Sequence, residues 1–418
     1  MIQALKSMWA LFFGITVLWF GTGMMFNLLV LRADAEGFST VEIGFMQTTY
    51  QLGWIAAAIF AARMIHHVGH IRVFGAMAAA GSAIILLHLL YINPWVWSIE
   101  RFFMGICTAT LMVVIESWLN DMAENKIRGK VLAVYTILGW GAPVIGVWIL
   151  RYASTDDAFF FLLASILISI TVIPLLLSAS RTPSLIEFER IGLKKLFKIT
   201  PLGVSGAFLS GACHGAFFVS VALYGTVSGY STSQISTLTA IALAGGIITQ
   251  WPIAMLSDRM DRRVVLAAVA GLGGLIALLF ALSDTSSITA VYIATACISA
   301  MVLGLYSQCI SHANDYLTPQ QIVPASGTLI LVYGTGMAVT PMIVAPLLNL
   351  APNNFFLINA ALMLFLSGYV LYRMTRREAV EDQGDTLTVS TVSPYSSVVT
   401  AAEEWGEDIE TQQGKYDR

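Results

Sequence analysis

Two short stretches of the chain are nearly alike: GFSTVEIG at residues 37–44 and GYSTSQIS at residues 229–236. In each, a serine stands three residues before a glutamate or a glutamine. This spacing is typical of a capping box, in which the two side chains satisfy backbone N–H groups at the start of a helix. A long apolar run follows each stretch, so both predict the start of a long helix.

Two further pairs of segments repeat in the same order. SWLND at residues 117–121 matches SHAND at residues 311–315, and the pattern V-Y-x7-P occurs at residues 134–143 and again at 332–341. The offset between the copies is nearly constant, which favours an internal duplication. If each copy holds six membrane-spanning helices, the halves are parallel repeats about an axis along the membrane normal.

The composition indicates that lipid surrounds most of the chain. Of the 418 residues, 57% are apolar and 11% are charged, and the mean hydropathy is +0.76. Soluble domains carry about 25% charged residues. We therefore predict an all-α membrane protein, and the absence of a basic, aromatic-interleaved patch argues against a nucleic-acid partner.

Apolar runs of about 20 residues are long enough to cross a bilayer. The first run is too long for a signal peptide and shows no cleavage site, so we expect it to remain as the first span. The twelve predicted spans are 9–31, 43–65, 72–92, 95–119, 130–151, 157–178, 201–226, 235–256, 264–283, 287–310, 325–350 and 354–373.

The spans divide the chain into two bundles and two polar segments. We predict an N-terminal six-helix bundle at 1–178, a cytoplasmic linker at 179–200 and a C-terminal six-helix bundle at 201–373. The tail at 374–418 carries nine acidic residues against two basic ones from Ala379 onward, and we expect it to be disordered.

The distribution of Lys and Arg predicts the orientation. Nineteen of the twenty-two lie in segments that fall on one side of the predicted topology. Because basic residues are enriched on the cytoplasmic side, both termini should be cytoplasmic, in a bacterial-type inner membrane.

Three ionisable residues inside the predicted spans are candidates for chemistry: Arg101, Glu116 and His214. Arg101, Thr108 and Glu116 fall on nearly one face of the fourth helix, and this polar stripe should face a water-filled cavity. Arg101 would anchor an anionic group or tune a proton site; otherwise it is an ion pair or an interfacial snorkel.

Glu116 and His214 also have two interpretations each. Glu116 would pair with a loop arginine at the inner gate, or would couple transport to protons. His214 would be a hydrogen-bonded packing residue, or a coupling or substrate residue. Further candidates for lining the cavity are Gln47, Gln51, Tyr135 and Tyr333.

We expect neither a metal nor a cofactor. The histidines of the segment 66–70 lack the carboxylate or thiolate support of a dedicated metal site. The four cysteines lie inside apolar runs, where they serve as small core residues.

Several motifs resemble those of the major facilitator superfamily over residues 5–375. They are the loop DRMDRR at 258–263, its counterpart HHVGHIR at 66–72, RFFMG at 101–105 and Arg128-Gly129 after Asp121. VIES at 114–117 and QWPI at 250–253 look like the bacterial YcaD-like group within that superfamily. The resemblance implies two six-helix bundles rocking about a central cavity.

The loop motifs also imply a latch at the cytoplasmic mouth. Asp258, Arg259 and Arg262 would pair across the halves with acids such as Asp315, and solvated loop charges are the alternative. The remaining residues assigned to this gate are Gly69, Arg72, Asp121 and Arg128.

The function that these patterns favour is secondary transport of a small solute by alternating access, coupled to an ion such as the proton. We expect a monomer whose partners are the solute and the lipid bilayer. The alternative is a non-transporting membrane sensor or scaffold, which would have a closed, apolar bundle centre. We find no arrangement of a nucleophile and a base in the sequence that would indicate an enzyme.

Overall fold

The computed structural model describes residues 8–122, 128–152, 158–177, 191–283 and 287–378. Within these ranges the regular structure is helical. The six helices of the first half are α1 Trp9–Ala35, α2 Thr40–Val68, α3 His70–Leu90, α4 Pro94–Met122, α5 Arg128–Ile149 and α6 Phe159–Leu177.

The second half repeats this order after a short helix at Leu193–Ile199. Its six spans are α7 (Pro201–His214, a π-helical turn at Gly215–Val219, and Val221–Val227), α8 Thr232–Ser257, α9 Arg262–Leu282, α10 (Ile288–Val302 and Leu305–Asn314), α11 Pro319–Leu350 and α12 Asn354–Met374.

The observed helices confirm the predicted all-α fold, and a helix lies at the centre of each predicted span. In the described part of the chain, ten helices are long and apolar enough to cross a membrane. The other two spans are α6, which is a shorter apolar helix, and α2, which carries the polar run 47–51.

Both predicted capping boxes are present. The Ser39 hydroxyl accepts from the N–H of Glu42, and the Glu42 carboxylate accepts from the N–H of Ser39 at 2.7 Å. Ser231 and Gln234 make the same pair at the start of α8. A third box, at Thr318, starts α11 before its apolar run, so α11 begins at Pro319 and not at residue 325.

Helix pairing in the first half recurs six helices later. α1 packs on α5, α2 on α4 and α3 on α6; likewise α7 packs on α11, α8 on α10 and α9 on α12. The contacts between the halves obey the same symmetry, since α2 packs on α11 and α5 on α8. This repetition is what a twelve-helix protein built from two six-helix halves requires.

Glycines allow the closest of these helix contacts. A Cβ atom on Gly53 of α2 would collide with the carbonyl oxygen of Phe102, and one on Gly105 of α4 with the carbonyl oxygen of Tyr50. In the second half, Gly211 and Gly336 hold α7 against α11 in the same way. Small residues have this role in membranes because no hydrophobic force brings helices together in lipid.

The two ends of the bundle differ in charge. We call one end the basic end because, among the described residues, it carries Arg72 near the start of α3, Arg259, Arg262 and Arg263 between α8 and α9, and Lys194, Lys195 and Lys198 before α7. The opposite end is called the low-charge end. There the halves meet where the Thr239 hydroxyl donates to Asn27 Oδ1 at 3.3 Å and where Gly44 packs on Ala345.

Candidate functional site

A cavity of about 260 Å³ lies between the two halves. It is lined by α1, α2, α4 and α5 from the first half and by α7, α8 and α11 from the second. Among the described residues, its lining contains no Asp, Glu, Lys or Arg side chain. Its aromatic side chains are Trp19, Phe26, Tyr50, Trp54, Tyr135, Trp140, Phe218 and Tyr333.

Arg101 is buried inside the protein and does not line the cavity. Its Nη2 donates to Gln47 Oε1 at 2.9 Å, and its guanidinium lies 3.9 Å from the centre of the Tyr50 ring. The Phe26 ring is 5.2 Å away. An arginine held by an amide and an aromatic face keeps its charge in a dry site. Tyr50 therefore stands between the cation and the cavity.

Glu116 is arranged in a similar way behind a second tyrosine. The Tyr135 hydroxyl donates to Glu116 Oε1 at 2.6 Å, and both side chains are buried. The short distance is typical of a hydroxyl bound to an ionised or strongly accepting carboxyl oxygen. Tyr135 lines the cavity and Glu116 does not.

These positions correct one expectation. The stripe of Arg101, Thr108 and Glu116 faces neither lipid nor the cavity directly. Thr108 donates to the Met104 carbonyl of its own helix at 2.9 Å, and all three residues are about 1% exposed. Helix period fixes which residues share a face, but the tyrosines that cover this face come from α2 and α5.

His214 and Tyr333 line the cavity from the second half. The Nδ1 of His214 is 2.9 Å from the Ser210 carbonyl oxygen, one helical turn earlier. The ring packs against Phe218 and Tyr333, with centroid distances of 5.3 and 5.4 Å. Because a carbonyl can only accept, Nδ1 carries the proton and Nε2 of a neutral imidazole is an acceptor.

The two glutamines separate into different roles. Gln51 lines the cavity, whereas Gln47 is buried and holds Arg101. The sequence predicts both glutamines in the cavity lining, and for Gln47 the structure corrects this. The position of Arg101 on α4 decides that Gln47, and not Gln51, holds the charged side chain.

Directly after His214 the helix α7 changes to a π-turn at Gly215–Val219. Phe218 and Val219 of this turn line the cavity, and the Ser220 hydroxyl donates to the Gly215 carbonyl at 3.0 Å. Such turns insert one residue into a helix and occur frequently at functional sites.

Sequence reasoning missed a buried ionisable pair near the low-charge end. His88 Nδ1 of α3 lies 3.3 Å from Glu100 Oε2 of α4, and the His88 ring packs 5.4 Å from Trp97. Neither residue is among the candidates named from the sequence. The signal for this pair was the presence of two ionisable residues close to the same predicted turn.

At the basic end, Arg262 forms a buried ion pair with Asp315. Their Nη1 and Oδ1 atoms are 2.5 Å apart, and Arg262 also donates to the Ser311 carbonyl at 2.9 Å. Both residues belong to the second half, so the expectation that this pair crosses between the halves is wrong. It joins the start of α9 to the end of α10.

The other gate candidates take simpler positions. Asp258 caps the end of α8 with its backbone, Arg259 and Arg72 are exposed, and Gly69 has a φ of 93° where α2 turns into α3. That left-handed conformation favours glycine. The side chains of Asp121 and Arg128 lie outside the described residues.

Two carboxyl groups at the basic end have shifted pKa values. Burial raises the pKa of Asp315 to about 6, although Arg262 opposes this shift. Burial also acts to raise the pKa of Asp261, but hydrogen bonds from Arg263 outweigh it and hold that pKa below its ordinary value. Asp315 pairs with Arg262 and Asp261 pairs with Arg263, and the pKa values of the two acids are therefore shifted in opposite directions from their ordinary value.

Comparison with known proteins gives a consistent result. A family model described as Major Facilitator Superfamily matches residues 11–313 and 205–402. The chain is 25% identical to the "Uncharacterized MFS-type transporter YcaD" of Escherichia fergusonii, over 87% of this chain and 94% of the relative. It is 26% identical to the protein of that name in Escherichia coli K12, over 86% and 94%.

Solved structures share the fold at low identity. The nucleoside transporter NupG superposes with a TM-score of 0.68 at 11% identity, covering 88% of this chain and 98% of that one. The E. coli fucose:proton symporter FucP superposes with a TM-score of 0.59 at 15% identity, covering 87% and 98%. Each likeness concerns the arrangement of helices alone.

Proposed function

This chain belongs to the major facilitator superfamily, and from that membership we propose that it carries a small solute across the membrane by alternating access. The central observation is a cavity of about 260 Å³ lined by helices of both halves. A site held between two pseudo-symmetric bundles is exposed to either side when the bundles rock. The cavity is therefore the proposed substrate site.

The sensor or scaffold alternative requires a closed bundle centre packed with apolar side chains. The cavity and its polar lining residues Gln51 and His214 count against that alternative. So does membership in a superfamily of transporters.

The basic end is the proposed cytoplasmic side, in the inner membrane of a bacterial cell. The positive-inside rule supports this orientation, since the turns at this end carry most of the Lys and Arg. In that orientation the contacts Asn27–Thr239 and Gly44–Ala345 close the cavity toward the outside.

Proton coupling is proposed to involve Glu116 and Tyr135. Glu116 is a buried carboxyl group that accepts a hydrogen bond from the Tyr135 hydroxyl, and a carboxyl group inside a membrane span is suited to bind and release a proton. Arg101 supplies a fixed positive charge on the same helix. The structurally similar FucP is named a proton symporter, which adds support by analogy.

The gate residues are proposed to stiffen the basic end of each half. Arg262 and Asp315 join α9 to α10, so that the second half moves as one body. Gly69 and Arg72 occupy the matching turn of the first half, with Asp258 and Arg259 beside Arg262 and with Asp121 and Arg128 at the ends of α4 and α5.

The experiment is a thermal-shift screen of the purified chain against metabolites, followed by flux of the best ligands in proteoliposomes with an imposed pH gradient. We expect at least one stabilising solute to move, and to move faster with the gradient. A solute that stabilises the protein and never crosses the membrane would instead support the sensor alternative.

A further inference from the structure

Some polar groups that line the cavity are already hydrogen-bonded within the protein, and others are available to a ligand. The Thr22 hydroxyl already donates to the Leu18 carbonyl of its own helix at 2.9 Å, and the Thr239 hydroxyl shares its one hydrogen between the Ile235 carbonyl at 3.1 Å and Asn27 Oδ1 at 3.3 Å. Gln51 makes no hydrogen bond to the residues that the structure describes. Its amide and the Nε2 atom of His214 are therefore polar groups that a solute can use.

Two charged side chains lie close to the cavity, and each already has a partner within the protein. The Arg101 guanidinium lies on the face of Tyr50, and the Glu116 carboxylate accepts from Tyr135. A second cation over Tyr50 would be repelled by Arg101. An anion would be separated from Arg101 by the Tyr50 ring. A charged solute would thus lose its water without gaining a counter-ion, which is costly.

The walls suit a flat ring. Eight aromatic side chains line a volume that is below the roughly 300 Å³ at which drug-sized pockets begin. Aromatic rings pack on other rings in offset or edge-on geometry. The Phe218 and Tyr333 rings flank His214, so a ring that reaches Nε2 also contacts aromatic carbon.

We propose that the cavity binds an uncharged aromatic or heteroaromatic solute whose N–H or O–H donates to His214 Nε2. The Gln51 amide, on the other half of the protein, lies against the same solute. This inference rests on the proposed function, because it takes the cavity as the substrate site.

The test compares four probes that share one ring system. Indole is neutral with an N–H donor, N-methylindole lacks that donor, tryptamine is a cation and indoleacetate is an anion at neutral pH. Binding to the full chain in nanodiscs is measured by titration calorimetry, with empty nanodiscs subtracted.

We expect indole to bind at least about tenfold more tightly than tryptamine or indoleacetate, because a buried charge without a partner is costly. Indole should also bind about fivefold more tightly than N-methylindole, as one hydrogen bond is gained. In His214→Phe the indole and N-methylindole affinities should become equal, whereas Ser82→Ala, on α3 away from the cavity, should leave the order unchanged.

A charged probe that binds as well as indole would overturn the proposal. The proposal would also be overturned if none of the four probes showed saturable binding. Equal binding of indole and N-methylindole to the unaltered chain would remove His214 as the acceptor. The unaltered chain alone decides these points, even if a variant fails to fold. Flux of another solute in the proteoliposome assay would leave the transport function intact.

Discussion

At the scale of single residues, two tyrosines decide how the charges of α4 act on the cavity. Tyr50 lies against Arg101 and Tyr135 donates to Glu116, so in each case a tyrosine that lines the cavity contacts the charged group behind it. The charges are thus kept dry, where electrostatic interactions are strong. A change in the protonation of Glu116 would be felt first at the Tyr135 hydroxyl.

Glu116→Gln should reduce solute transport driven by a pH gradient. The amide is similar in size but cannot bind and release a proton at working pH. The measurement is flux of the identified solute in proteoliposomes with and without the gradient. Glu42→Gln, in the exposed capping box of α2, is the matched control and should behave as the unaltered chain. Undiminished gradient-driven flux in Glu116→Gln would remove Glu116 as the coupling site.

Arg101→Lys should destabilise the fold although it keeps the charge. An ammonium group cannot stack on Tyr50 or reproduce the planar contact with Gln47. We expect a loss of about 1–2 kcal/mol, in the range of a desolvated cation–π contact. Thermal unfolding in detergent measures it, and Arg63→Lys at an exposed position is the control. An unchanged melting temperature in Arg101→Lys would mean that charge alone holds the site.

At the scale of helices, much of the molecule follows from local sequence. Span positions were predictable because a run of apolar residues must match the bilayer thickness. The capping boxes at Ser39 and Ser231 were readable because they involve residues three apart. The tyrosine contacts with Arg101 and Glu116 were not, since each depends on a contact between two helices.

Gly53→Ala should destabilise the contact between α2 and α4. The added methyl group would meet the Phe102 carbonyl oxygen, and overpacking of this kind costs about 1–3 kcal/mol. Gly75→Ala is the matched control, since a Cβ atom there meets nothing within 4 Å, and it should be neutral or stabilising. Equilibrium unfolding in mixed micelles measures both. Equal stability of the two variants would contradict the close helix approach.

Asp315 should make stability depend on pH at the joint of α9 and α10. Its pKa is about 6 in the folded protein and about 4 when unfolded, so the folded chain holds the proton longer. Its contribution to stability is present below about pH 4 and is lost as the pH rises through about 6.

Asp315→Asn lacks this dependence, so its melting temperature should improve relative to the unaltered chain between those two pH values. Thermal unfolding across a pH series measures the difference, with Glu42→Gln as the control. A difference that stays constant over this range would show that Asp315 is ionised throughout.

At the scale of the whole molecule, the two halves are joined along α2–α11 and α5–α8. The internal repeat relates these two contacts to each other, because α2 corresponds to α8 and α5 corresponds to α11. At the low-charge end the halves are in contact through Asn27–Thr239 and through the packing of Gly44 on Ala345. Alternating access requires these contacts to separate.

Gly44→Leu should force α2 away from α11 at the low-charge end and favour the opposite state. The reporter is Gln51→Cys in the cavity, in a background where the four native cysteines are replaced by alanine. We expect a membrane-impermeant maleimide added from the low-charge side to label it faster than in the parent. Gly368→Leu, where a Cβ atom has no neighbour within 4 Å, is the control. Equal labelling in both variants would argue against a gate at this contact.

The π-turn of α7 also affects how the rest of that helix is oriented. One inserted residue turns everything beyond it by about 100° relative to an unbroken helix. The side chains of Val221–Val227 therefore point about 100° away, around the helix axis, from where a regular continuation of Pro201–His214 would place them. If the same residues formed an unbroken α-helix, with none removed, the outer segment would rotate by this angle and would face different neighbours.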